Sequence, residues 1–262
     1  MRKIFTVAVL AIFLAACGAA AQEVYEIEEI YEVETAYEPY EPDEITYEED
    51  EPEEIAEEAE EDDMEEVHYV PFEPIFTSEP LPDYIIALIT GVSFREDTPF
   101  GFDALTYLTI THTDFNGESR IGHMIVAAEI GDEVLDIFRE IYAARFPIYQ
   151  MRLIDHFNAD DKLSLDANNS SAFNFRYIAG TNVISRHGFG LAIDINPIQN
   201  PYIRGETILP PAGAAYLDRD DIRPGMIVPG CPVHHAFTSR GWIWGGDWTT
   251  LRDYHHFERR NP

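Results

Sequence analysis

The sequence predicts a mixed α+β domain, with a mainly antiparallel central sheet and flanking helices. Three observations carry that prediction. Residues 102–114 alternate apolar and Thr-rich positions and 120–129 resume β character, on either side of Asn116-Gly117, a pair suited to a tight hairpin turn. Directly after this hairpin, Val134, Ile137, Phe138 and Ile141 recur at helical spacing. Further β-type stretches are short and scattered, which favours hairpins with inserted helices over alternating βαβ units.

Taken in order, the helix is expected over 132–145. Asp132 and Glu133 sit in its first turn, where carboxylates suit the helix dipole, and Pro147 closes it. Residues 148–154 read as a strand and 158–171 as a polar loop. Further strands are expected at 173–178, 191–195 and 241–244. A short helix is expected over 232–240, with Pro232 in its first turn and Gly241 after its end.

The N-terminal quarter differs in kind. The 262-residue chain has 49 acidic and 17 basic residues, a formal net charge of −32, yet residues 23–66 alone hold 24 of the acids. No Lys or Arg occurs between Lys3 and Arg95. With no basic stripe to release counterions, a nucleic-acid partner is excluded. Residues 18–70 are therefore expected to form a disordered acidic tether, because so charged a segment buries too little apolar surface to offset the entropy of ordering it. At up to ~3.3 Å per residue, roughly fifty residues reach about 150 Å when stretched. The folded domain is expected over 71–262.

Residues 1–17 read as an export signal. Met1-Arg2-Lys3 is cationic, and the apolar run from Ile4 to Ala16 is shorter than the roughly 20 residues a bilayer span requires. Leu14-Ala15-Ala16-Cys17-Gly18 resembles the bacterial lipoprotein box, which implies lipidation of Cys17. An ordinary signal peptide cut at Ala20 or Ala21 is the alternative. Lipidation places the protein outside the cytoplasm, anchored to the outer face of the cell membrane. Cys17 and Cys231 allow at most one disulfide, so a disulfide scaffold is excluded. With Cys17 lipidated, Cys231 is expected to be a small buried hydrophobe.

Chemistry concentrates in two stretches, Ser185-Arg186-His187-Gly188-Phe189-Gly190-Leu191-Ala192-Ile193-Asp194 and Asp253-Tyr254-His255-His256-Phe257-Glu258. Gly188, Gly190 and Asn196-Pro197 oppose a helix through the first. On an unbroken strand, His187 and Asp194 would face opposite sides. A turn at 188–190 removes the conflict and leaves Asp194 pointing inward between Ile193 and Ile195. A carboxylate so placed is costly unless paired or ligating. Arg186 or Arg204 could pair with it, but a divalent cation held by His187, Asp194 and one C-terminal His is the economical solution. Two imidazoles and one carboxylate suit zinc with a coordination position left open. Asp253 is then placed to take a proton from water and pass it to a leaving amine.

Together, Ser185-x-His187-x2-Gly190-x-Ala192-x-Asp194 and Asp253-x2-His256-Phe257 resemble the zinc D-alanyl-D-alanine carboxypeptidase family, VanY-like peptidoglycan peptidases that include L-alanyl-D-glutamate endopeptidases. The resemblance runs from about Asp103 to Glu258. It implies a hedgehog/D-Ala-D-Ala-peptidase-like fold and the Zn2+ ligands His187, Asp194 and His256. Asp253 corresponds to the catalytic acid/base. Arg176 corresponds to an arginine that binds substrate and stabilises the oxyanion, and Ser185 to a substrate-binding position beside the site. From the residues alone, Arg176 reads as a surface ion pair, Asp155, Asp160 and Asp161 as solvated loop charges, and Trp242, Trp244 and Trp248 as core and groove wall. Asp in place of Glu at the acid/base position is closer to the endopeptidase branch. The expected function is D-Ala-D-Ala carboxypeptidase action on peptidoglycan stem peptides, by a monomer. L-Ala-D-Glu endopeptidase action and non-hydrolysing wall binding are the alternatives.

Overall fold

The computed structural model describes residues 72–260. The export signal with Cys17 and the whole of the acidic tether lie outside the described residues. The elements begin with strand β1 (Phe76–Pro80), helix α1 (Asp83–Ile89), the hairpin β2 (Leu105–Thr113) and β3 (Ser119–Ala127), and helix α2 (Gly131–Ala143). The three strands form an antiparallel sheet in the order β1-β2-β3. The turn is built as expected. Asp114 Oδ1 accepts the amides of Asn116 at 2.8 Å and Glu118 at 3.0 Å, and Gly117 adopts φ +81°.

Strand alternation explains how this sheet is covered on both sides. Leu108, Ile110, Met124 and Val126 enter a core shared with Val134, Ile137, Phe138 and Ile141 of α2. Leu105, Tyr107 and Ile125 join a second cluster with Ile85 and Ile89 of α1 and with Phe173 and Phe175. Burial of each such side chain contributes about 1.5–3 kcal/mol. The amphipathic stripe of α2 is thus matched to one face of the hairpin.

Beyond α2 the chain departs from expectation in several places. Only Gln150–Met151 of the expected 148–154 strand pairs, as β4, and a 3-10 turn follows at Ile154–Phe157. The expected loop over 158–171 contains helix α3 (Asp161–Asp166) and strand β5 (Asn169–Ser170), which pairs in parallel with β4. Six residues, four of them polar, are too few to show a helical repeat. Asp160 starts α3 by accepting the Leu163 amide at 3.1 Å. Residues 173–178 form no ladder strand, and Tyr177 makes only an isolated bridge to Ile184. Asp155 and Asp161 are not solvated loop charges. Asp155 is buried and accepts the Ser93 amide at 3.1 Å, while Asp161 pairs with Arg176.

The remaining elements are β6 (Ala192–Asp194), β7 (Tyr202–Arg204), β8 (Thr207–Leu209), α4 (Pro232–Thr238), β9 (Ile243–Trp244), β10 (Arg252–Asp253) and β11 (His256–Glu258). They make two more antiparallel sheets, β6-β11-β9 and β10-β7-β8, so pairing is mainly antiparallel but divided among small sheets. Helix α4 begins as expected, and Cys231 is its N-cap, half-buried, with Sγ accepting the His234 amide at 3.4 Å. Among the described residues, no helix is long and apolar enough to cross a membrane.

Candidate metal centre

Three local structures deliver three ligating side chains to one point. Asp194 ends β6 and His256 begins β11, and the antiparallel register sets them directly opposite each other. Opposed residues present their side chains on the same face of a sheet. His187 arrives from the 3-10 turn Arg186–Phe189, where the Ser185 hydroxyl accepts the His187 amide at 3.3 Å. The turn ends at Gly190, with φ +67°; a Cβ there would lie 2.5 Å from the Ala127 amide nitrogen. Only glycine permits both the left-handed backbone and that approach to β3.

Hydrogen bonding fixes which nitrogen each imidazole offers. His187 Nδ1 donates to the Ala172 carbonyl at 2.6 Å, which leaves Nε2 as the free acceptor. That Nε2 lies 3.2 Å from Asp194 Oδ2 and 3.2 Å from His256 Nδ1. His256 Nδ1 lies 3.0 Å from Asp194 Oδ1, and its Nε2 faces Glu258 Oε2 at 3.4 Å. Four-coordinate zinc with ligands at ~2.0–2.1 Å requires ligand atoms about 3.3 Å apart. The three donors have that spacing and all three residues are buried, so the cluster fits a small divalent cation. Neither Arg186 nor Arg204 pairs with Asp194.

His255 is excluded from the ligand set by the same geometry. Its Nδ1 donates to the Asn200 carbonyl at 2.8 Å. Its Nε2 lies 2.9 Å from Asp253 Oδ1 and 3.9 Å from Asp194 Oδ2. The electrostatics show how much charge the site concentrates. Burial raises the pKa of Asp194, but the imidazoles of His187 and His255 outweigh it and hold the carboxyl well below its usual range. Burial likewise opposes charging of His255 and His256. The carboxylates of Asp253 and Asp194 raise His255 to about 9, and those of Asp194 and Glu258 raise His256 to about 10. Ligands must be deprotonated to bind a cation, so cation uptake here is coupled to proton release.

The other expected site residues are placed less directly. Arg176 runs past the His187 turn, its carbonyl accepting the Ser185 amide at 2.9 Å, but its guanidinium pairs with Asp161. Ser185 is buried and its hydroxyl caps the turn. Trp242 and Trp244 are core, with indole N–H groups donating to Glu133 and to the Tyr254 carbonyl. Half-buried Trp248 forms a wall, its ring centroid 5.3 Å from that of His256. Asp253 packs on Gly245, where a Cβ would lie 2.6 Å from the Asp253 carbonyl oxygen. Two contributors were given no such role from the sequence: Glu258 behind His256, and His255, there weighed only as a rival ligand, beside Asp253. Strand period alone points to Glu258, two residues from His256 and so on the same face.

Residues 179–259 match the family model described as D-alanyl-D-alanine carboxypeptidase, a span that contains His187, Asp194, Asp253 and His256 but not Arg176. Comparisons with curated proteins and with solved structures return no match. The segment that matches the D-alanyl-D-alanine carboxypeptidase model is thus the one that carries the whole histidine–aspartate cluster, as its motifs anticipated.

Proposed function

We propose that this chain is a zinc-dependent peptidase, with a D-Ala-D-Ala-peptidase-like domain that removes the terminal D-alanine from peptidoglycan stem peptides. One observation carries the reading: the cross-strand pair Asp194–His256 and the turn residue His187 converge at the spacing zinc requires, inside sequence of a peptidase family. A cation held there supplies a Lewis acid that polarises a carbonyl and makes water easier to deprotonate. The Asp253 carboxylate, mostly shielded from solvent, takes the proton and returns it to the departing amine. Trp248 forms one wall beside the cluster. Arg176 as oxyanion partner and Ser185 as substrate contact are supported by the motif resemblance. For Arg176 this requires exchanging Asp161 for substrate. The Leu14–Cys17 stretch supports a lipid anchor that holds the enzyme at the outer face of the cell membrane.

The test is incubation of the purified protein with muropeptides ending in D-Ala-D-Ala, read by mass spectrometry with and without chelator. Chelator-sensitive loss of one alanine is expected, and Asp253→Asn should keep stoichiometric zinc while losing turnover. Cleavage between L-Ala and D-Glu would assign the endopeptidase activity instead. No product under any metal condition would overturn catalysis in favour of wall binding.

A further inference from the structure

We infer that His255 is the positioning residue of Asp253, aiming its carboxylate at the reaction centre while staying outside the metal's ligand set. The inference rests on the reading of Asp253 as the proton carrier. Among the described residues, Asp253 Oδ1 is buried without a hydrogen bond of good geometry, and the imidazole edge of His255 at 2.9 Å is its ionic neighbour. A carboxylate on a two-residue strand has little else to hold its rotamer. A displacement of ~1 Å at such a group costs about 10²-fold in rate.

The imidazole can serve as a fixed point because it is itself held. Its Nδ1–H binds the Asn200 carbonyl, and Asn200 is fully buried. The Asn200 side-chain amide donates to the carbonyls of Ile195, Asn196 and Gly225, at 3.2, 3.2 and 2.9 Å. Its Oδ1 accepts the Ile227 amide at 2.7 Å and Arg219 Nη2 at 3.1 Å. The same guanidinium stacks 4.4 Å over the ring of Tyr254, the residue between Asp253 and His255. A rigid path therefore runs from the core through Asn200 and His255 to the carboxylate. The ring that completes it has one nitrogen committed to the scaffold and the other turned to Asp253.

The two ring nitrogens give the experiment its resolution. In His255→Gln the side-chain amide takes the place of Nε2 and can still meet Asp253. In His255→Asn it takes the place of Nδ1 and meets only Asn200. On muropeptide substrate, His255→Asn should lower kcat about 10- to 100-fold with KM nearly unchanged, the signature of lost transition-state stabilisation. His255→Gln should recover most of that loss, and both variants should retain stoichiometric zinc. Recovery by Asn and not Gln would mean a structural role through Asn200 and overturn the inference. So would loss of zinc in both, or unchanged kcat in His255→Asn. Crystal structures of the zinc-loaded wild type and His255→Asn give an activity-independent arm, in which the Asp253 carboxylate should leave its position in the variant alone. If it stays, the inference falls whatever the kinetics. If it moves but the wild type turns over no muropeptide, the proposed peptidase function is wrong while the hold of His255 on the Asp253 carboxylate stands.

Discussion

The segment from β2 to α2 and the segments around the candidate metal centre are held by different physics. The first is continuous in sequence, with nine-residue strands joined by a short turn and a helix whose apolar stripe lies on them. Its interior is Leu, Ile, Val, Met and Phe, and its two strands pair along their whole length in one ladder. The second draws on residues 168–200 and 252–258, where strands are two or three residues long. Buried asparagines do there what ladders do in the hairpin. Asn169 binds both the amide and the carbonyl of Arg152, and Asn196 binds the Tyr149 amide and the carbonyls of Pro147 and Gly225. A side-chain amide offers the backbone's own donor and acceptor chemistry, so it can bridge loops that no ladder connects. Short irregular segments fixed in this way place ligands at angles that long regular strands would not allow.

The difference is open to being broken. Phe138→Ala in α2 should destabilise the fold by about 3–5 kcal/mol in urea unfolding, because it leaves a cavity in close-packed apolar surroundings, yet zinc affinity of the folded protein should be unchanged. Asn200→Ala should cost about 2–3 kcal/mol through stranded backbone groups, and should also weaken zinc binding. If the two substitutions affected zinc affinity equally, the division between the regions would be wrong.

Glu258→Ala sharpens the same division at the level of one ligand. Loss of the carboxylate behind His256 Nε2 should weaken zinc about 10- to 100-fold in chelator competition with little change in the unfolding midpoint. An unchanged affinity would show that sheet register alone orients the ring. The smallest effect is expected at Asp155, whose carboxyl is pushed above its ordinary pKa by burial, against the bonds from Ser93. A folded-state pKa raised for an acid means stability is greatest when it is protonated and declines as pH rises through the folded value. Asp155→Asn keeps an acceptor for the Ser93 amide without the charge. It should therefore raise thermal stability at pH 7, with the gain fading as pH falls toward the unfolded value of about 3.9. A loss of stability at pH 7 would mean that the ionised form is the one the fold requires.

Legibility in the sequence followed the same line. The hairpin, α2 and α4 were readable because periodicity and end signals are local. Strand β1 and the hairpin of β7 and β8 carry no such pattern, since β1 is exposed along most of its length and the others are three residues long. Helix α3 was hidden in what reads as a polar loop. At the site, the conflict between the His187–Asp194 spacing and any regular element correctly required a turn. The choice between His255 and His256 was open in the residues, and the β6–β11 register sets His256 opposite Asp194. Asp161 read as a solvent-facing charge because its partner Arg176 lies fifteen residues away, across a loop.

By itself, the sequence determined the α+β character of residues 72–260, the hairpin and its helix, and the presence of a buried aspartate that needed cationic company. Those properties follow from local periodicity, turn chemistry and the cost of burying charge, none of which depends on distant contacts. Only the tertiary structure decided which imidazole nitrogens meet Asp194, that Glu258 stands behind one of them, and that His255 faces Asp253. These are set by strand register and by asparagine bridges between segments far apart in the chain, and a linear pattern carries no record of either.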